Sequence, residues 1–244
     1  MTSYRSGCIV AALLWLSLTA ACASRPPTVA HVHIGHAITG VHVTPGQQGY
    51  IEVAQTRAGE AIDVTVKAQS ATGLDELKSD VAQANDITNG VDNFGVKESI
   101  TMAVRHVSFA ATSEDATLNV RNSAPVFATD SDAVIQRCEL IELLSKDVAA
   151  SSSLREAKVS VDEIVKLTRA NLSGGDSSGS GKLGTVPADF GITQLRAELE
   201  AMIARERPRY VTVDQWYLFN LVRLPNGRWV FDKFGRGGNI EGYK

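Results

Sequence analysis

Four of the five histidines in this 244-residue chain fall within twelve residues, as His31, His33, His36 and His42. The fifth, His106, lies far along the chain. Neutral imidazole is the commonest protein ligand for zinc, copper and nickel near physiological pH, so the chemistry this spacing suggests is transition-metal binding. Two local geometries are open. In extended backbone, residues two apart share a face, which would pair His31 with His33. If the chain turns helical, His33 and His36 share one instead, and Gly35 lets the backbone bend between the two. His31, His33 and His36 are therefore the primary ligand candidates, with His42 or His106 completing the shell. Met102, one helical turn before His106, is a candidate soft ligand that would favour copper over zinc. The competing readings are a buried strand with hydrogen-bonded histidines, or a solvated segment that scavenges metal weakly.

Catalytic patterns are absent. The serines at 151–153 lack a G-x-S-x-G setting. There is no C-x-x-C-H, Walker loop or GxGxxG, and no H-E-x-x-H. The H-x-H pair has no glutamate a few residues on, as cupins require; the next acid is Glu52. Glu139, Glu142, Asp162 and Glu163 belong to no Glu-x-x-His pair, which di-iron bundles need. A net charge of −3 without a basic stripe excludes nucleic acid as an expected partner.

The amino terminus reads as an export signal. Arg5 is a short positive region, and an apolar run over 8–19 is too short to span a bilayer. Leu18-Thr19-Ala20-Ala21-Cys22 resembles the lipobox of bacterial lipoproteins. That resemblance implies lipidation of Cys22 and attachment to a membrane, with the protein facing the periplasm of a bacterial envelope. Ala23, where an aspartate would retain the protein at the inner membrane of enteric bacteria, implies the outer membrane. With Cys8 removed and Cys22 lipidated, Cys138 alone remains, so no intramolecular disulfide forms. The segment H-x-H-I-G-H-A-I-T-G also resembles uncharacterised bacterial lipoproteins, which attaches no activity to it.

A second candidate site lies at 176–184. It resembles an EF-hand calcium loop, with Asp176 at position one, Ser178 at three, Ser180 at five, Gly181 at six, Lys182 at seven and Leu183 at eight. Pro187 stands where a bidentate glutamate belongs, and Asp189 is the nearest substitute. The resemblance implies a calcium ion, or a loop that keeps the shape without the ion. The alternative is a plain Gly/Ser loop.

The elements that must position these residues read as mainly helical. The expected fold is an antiparallel bundle of four to five helices with a C-terminal β-hairpin packed on it. Apolar residues recur at helical spacing over 50–85 (Ala54, Ala58, Ala61, Leu77, Val81), with Gly73 a point of interruption. Further helices are expected over 95–111, 130–150, 154–173 and 187–207, with a short helix or turn over 113–125. Ser153 and Glu156 have capping-box spacing, and Gly174-Gly175 stops the helix that follows. Pro225-Asn226-Gly227 between two β-rich runs predicts a hairpin over 211–234. The resulting division is a signal at 1–21, a tether and histidine segment at 22–48, a helical domain at 49–236 including a polar loop at 174–186, and a tail at 237–244. Three functions fit. The first is a lipid-anchored envelope protein that binds copper or zinc without catalysis. The second is a three-histidine zinc-type enzyme. The third is a structural or assembly lipoprotein whose partner surface is the aromatic hairpin.

Overall fold

Helix formation in this chain follows apolar spacing and tertiary contact more than local capping. The computed structural model describes residues 29–90, 92, 94–175 and 189–206, together with the backbone of 221–223 and 229–231. Seven α-helices are present among them: α1 (Val29–Ile38), α2 (Tyr50–Ser70), α3 (Leu74–Asn89), α4 (Val96–Thr112), α5 (Leu118–Ala150), α6 (Leu154–Ser173) and α7 (Ile192–Arg205). They form a helical bundle. None is long and apolar enough to cross a membrane.

Two cores run through it. The first gathers Ile34, Ala37, Tyr50, Ile51, Ile100, Val107, Phe127, Leu195 and Leu199 from α1, α2, α4, α5 and α7. The second gathers Ala68, Leu77, Val81, Ile141, Val148, Val161, Ile164 and Leu167 from the far end of α2, α3, the second half of α5, and α6. The long helix α5 contributes to both.

The expected helix over 50–85 is two helices, broken at Ala71 to Gly73, and the second continues to Asn89 where a loop was expected. The short element at 113–125 and the helix at 130–150 are instead one helix, α5, with Pro125 inside it. Proline removes one backbone donor there. Packing overrides that cost, because Val120, Ala124 and Phe127 are buried at helical spacing before Val134, Cys138 and Ile141 continue the same face. Thr117 caps α5 by accepting from Val120 N. Ser153 caps α6 by accepting from Glu156 N, while the Glu156 carboxylate accepts from Ser152 N, one residue before the position a strict capping box uses. Gly174 follows with φ +77°, a conformation that favours glycine. Gly175 N donates to Asp189 O at 2.9 Å, tying together the ends of the loop that follows α6.

A hairpin packed on the bundle finds no support among the described residues. A three-residue antiparallel ladder pairs β1 (Leu221–Arg223) with β2 (Trp229–Phe231), far shorter than 211–234. The rest of that segment lies outside the described residues.

The largest departure is α1. Residues 29–38 were expected to belong to a tether and histidine segment outside the helical domain; they form its first helix, with Ala30, Ile34 and Ala37 buried in the first core.

Candidate metal site

The first two amides of the histidine helix are taken by Asp115, from the α4–α5 link: Val29 N donates to Asp115 Oδ2 at 2.6 Å and Ala30 N to Oδ1 at 3.2 Å. A carboxylate at a helix N-terminus is favourable both as an acceptor and against the macrodipole. At the other end, α1 lies tightly against the start of α2. A Cβ on Gly49 would stand 2.4 Å from the Ile38 carbonyl carbon, so that approach needs glycine.

Helical geometry then sorts the histidines. His33 and His36, three residues apart, stand on one face. His31 points elsewhere: its Nε2 lies 3.1 Å from Glu206 Oε2. Glu206, fully buried just past α7, also accepts from Thr117 Oγ1 at 2.7 Å and from Asn119 Nδ2. As the carboxylate accepts, His31 donates. His31 thus fastens α1 to the α5 and α7 ends and stands apart from the other two histidines.

His106, from the middle of α4, meets the His33/His36 face. Its Nδ1 lies 3.2 Å from His33 Nδ1 and 3.4 Å from His36 Nδ1. One ring nitrogen from each of the three lies within 4.8 Å of the others, a group that could hold a metal ion. Metal–nitrogen bonds of about 2.0–2.1 Å in a tetrahedron set nitrogens about 3.3–3.4 Å apart, so two of the three edges already have coordination length. A single imidazole nitrogen offers one proton or one lone pair and cannot complete ordinary hydrogen bonds to two others. A cation accepts all three lone pairs at once.

Electrostatics favours the ligand form. Burial, then the neighbouring His106 and His33, hold His36 at a pKa of about 3. Burial, then His33 and Arg105, hold His106 at about 4. Both rings are neutral at pH 7, and a neutral ring is what a metal binds. The Tyr50 ring stacks on His106 with centroids 5.3 Å apart and planes at 23°. Phe109 lies 5.5 Å from His33 and 6.1 Å from His106, ring centre to ring centre. Arg105 rests over Phe109, its Cζ 5.2 Å from the ring centre.

Of the five candidate ligands, the structure therefore brings together His33, His36 and His106. His31 is engaged with Glu206. His42 is close enough to His36 to help lower its pKa but stands outside the group of three, and its buried Nδ1 has no hydrogen-bond partner among the described residues. Met102 is half-buried against the first core. Asp176, Ser178, Ser180 and Lys182 of the calcium-type loop lie outside the described residues, as does Cys22; of Asp189, the backbone closes the loop as described. Tyr50, Arg105, Phe109 and Glu206 were not anticipated. Phe109 had a signal, three residues after His106 on the same helix. Glu206 had none, being 175 residues from His31.

The chain matches no known protein family, no curated protein and no solved structure. What the site can do rests on its own geometry.

Proposed function

We propose that this protein is a lipid-anchored bacterial envelope protein that binds one transition-metal ion through His33, His36 and His106, without catalysing a reaction. The observation that carries the metal is the convergence of three imidazole nitrogens, two pairs of them at 3.2 and 3.4 Å, with the rings of His36 and His106 buried and held neutral. An all-imidazole donor set suits zinc, or copper in its divalent state, rather than a thiolate-seeking ion. The envelope location is supported by the lipobox-like run ending at Cys22.

The test is metal analysis of the full-length protein. We expect about one zinc or copper ion per chain by analogy with single three-histidine sites, lost in His36→Ala and His106→Ala. No stoichiometric metal, or equal metal in wild type and variants, overturns the reading. Separately, Cys22→Ala is expected to move the protein out of the membrane fraction; unchanged fractionation removes the anchor. A metal-dependent enzyme is the second reading, favoured by a group of three ligands rather than four, because catalytic zinc keeps one position open.

A further inference from the structure

Resting on that metal reading, we infer that the fourth coordination position is filled from solution by a small monodentate anion, and that Arg105 supplies its counter-charge. Three observations carry this. First, the group of His, Cys, Asp or Glu side chains with converging ligand atoms has three members among the described residues, all histidines. Three neutral imidazoles leave a divalent ion its whole charge, unlike a set containing thiolate or carboxylate. A charge of that size in a mostly buried setting is best compensated by an anion.

Second, the site is sealed unevenly. His36 and His106 are 6% and 3% exposed, and Tyr50, stacked on His106, is 2% exposed. His33 is only half-buried, and Phe109 beside it is 41% exposed. Access from solvent is therefore at the His33/Phe109 side.

Third, a cation stands at that opening. The exposed guanidinium of Arg105 lies over the Phe109 ring, which itself lies 5.5 Å from the His33 ring. For a site that holds only a metal cation, a neighbouring arginine is a repulsive cost. For a site that holds a metal and an anion, it is an attractive contact at the entrance. Phe109 positions it through a cation–π contact. The ligand class this selects is a small oxygen- or nitrogen-donor anion that displaces a metal-bound water: hydroxide, azide, or a short carboxylate.

The test uses the full-length protein loaded with cobalt(II), whose visible bands report coordination, titrated with sodium azide at constant ionic strength set with perchlorate. A saturable spectral change is expected. Arg105→Ala is expected to weaken azide binding about two- to fivefold, the size of a partly exposed charge contact, and Arg105→Lys to recover most of it. Cobalt loading is quantified in every sample. Cobalt bound but blind to azide overturns the open position while leaving the metal site standing. Azide affinity equal in wild type and Arg105→Ala overturns the role of the guanidinium. Failure to bind cobalt overturns the metal reading and this inference together.

Discussion

The two cores bury polar groups in opposite ways. In the second core the buried hydroxyls are satisfied locally. Thr65 Oγ1 and Thr168 Oγ1 meet at 3.2 Å across α2 and α6: one hydroxyl donates to the other, which donates in turn to a carbonyl of its own helix, Ile62 O or Val165 O. Asp80, 4% exposed, accepts from Lys67 Nζ at 2.7 Å. The first core holds larger and more costly groups. Three imidazoles are set nitrogen to nitrogen, and the carboxyls of Asp130 on α5 and Glu198 on α7 are close enough that the charge of Asp130 raises Glu198. Desolvating polar groups costs free energy unless they gain equivalent partners. The second core gains most of them within the fold, leaving the buried Asp80 Oδ2 without a hydrogen-bond partner among the described residues. In the first, imidazoles facing one another are poor partners and good ligands, and a bound ion would offset their burial. On the proposed reading, the difference separates a part of the bundle built for stability from a part built around a site.

The sharpest way to break this comparison is at His106. Removing it takes away the nitrogen to which both other rings converge. His106→Ala is expected to lower zinc affinity at least about 100-fold, measured by competition with a chromophoric chelator, since even second-sphere changes at metal sites cost about 10–100-fold. Ile164, fully buried in the second core, supplies the converse. Ile164→Ala is expected to destabilise the protein by about 2–5 kcal/mol in denaturant melts. It should nonetheless keep the stabilisation by zinc, about 2.7 kcal/mol at a hundredfold excess over Kd. Loss of the zinc response in Ile164→Ala would show that the two cores do not act separately.

Next in size is the fastening of α1. The Glu206 carboxylate accepts on both oxygens, from His31 at one and from Thr117 and Asn119 at the other. In Glu206→Gln one side of the amide presents N–H to a donor. That mismatch should cost about 1–3 kcal/mol of stability in a thermal or urea melt. His31→Ala should lower stability while leaving the metal stoichiometry at the wild-type value. Loss of metal in His31→Ala at full folding would restore His31 to the ligand set.

How far the chain could be read from its residues follows the same division. The helices of the second core carry their own signals. Val161, Ile164 and Val165 repeat at helical spacing, Ser153 caps α6 and Gly174 ends it. The helix carrying His106 was legible from Ile100, Val104 and Val107, so the meeting of His106 with the amino-terminal histidines was open to inference. Which of those histidines would face it was not. α1 carries Gly35 with β-branched Val32 and Ile34, all weak helix formers. Its cap, Asp115, lies 86 residues away from Val29, and its apolar face has meaning only against α4. Only once the segment is helical do His31 and His33 point apart. Tertiary contact, invisible in local spacing, thus decided which histidines meet. The same holds for α5, where burial of Val120, Ala124 and Phe127 carries the helix through Pro125.

The smallest expected effect sharpens the contrast through pH. Burial, then the charge of Asp130, pushes the Glu198 carboxyl up to about 7, and burial also raises Asp130. A carboxyl whose pKa is higher in the folded state than in the unfolded chain stabilises the fold while it holds its proton. Its contribution is complete below the unfolded value, about 4.5, and is lost as pH rises through about 7. The ordinary carboxylate pattern, in which a paired acid stabilises the fold above its unfolded pKa, is reversed here. Burial explains the sign first, with Glu198 Oε2 buried and lacking a hydrogen-bond partner among the described residues, and the charge of Asp130 across α5 and α7 adds to the cost of ionising. Stability measured by urea unfolding should therefore decline between pH 5 and pH 7.5 by an amount that Glu198→Gln, neutral at every pH, largely removes. The nearby Arg205 pulls Glu198 the other way, so Arg205→Ala should steepen the decline rather than flatten it. A wild-type slope that Glu198→Gln leaves unchanged would place the pH sensitivity elsewhere and return the carboxyl pair to the ranks of satisfied structural contacts, like Thr65 and Thr168.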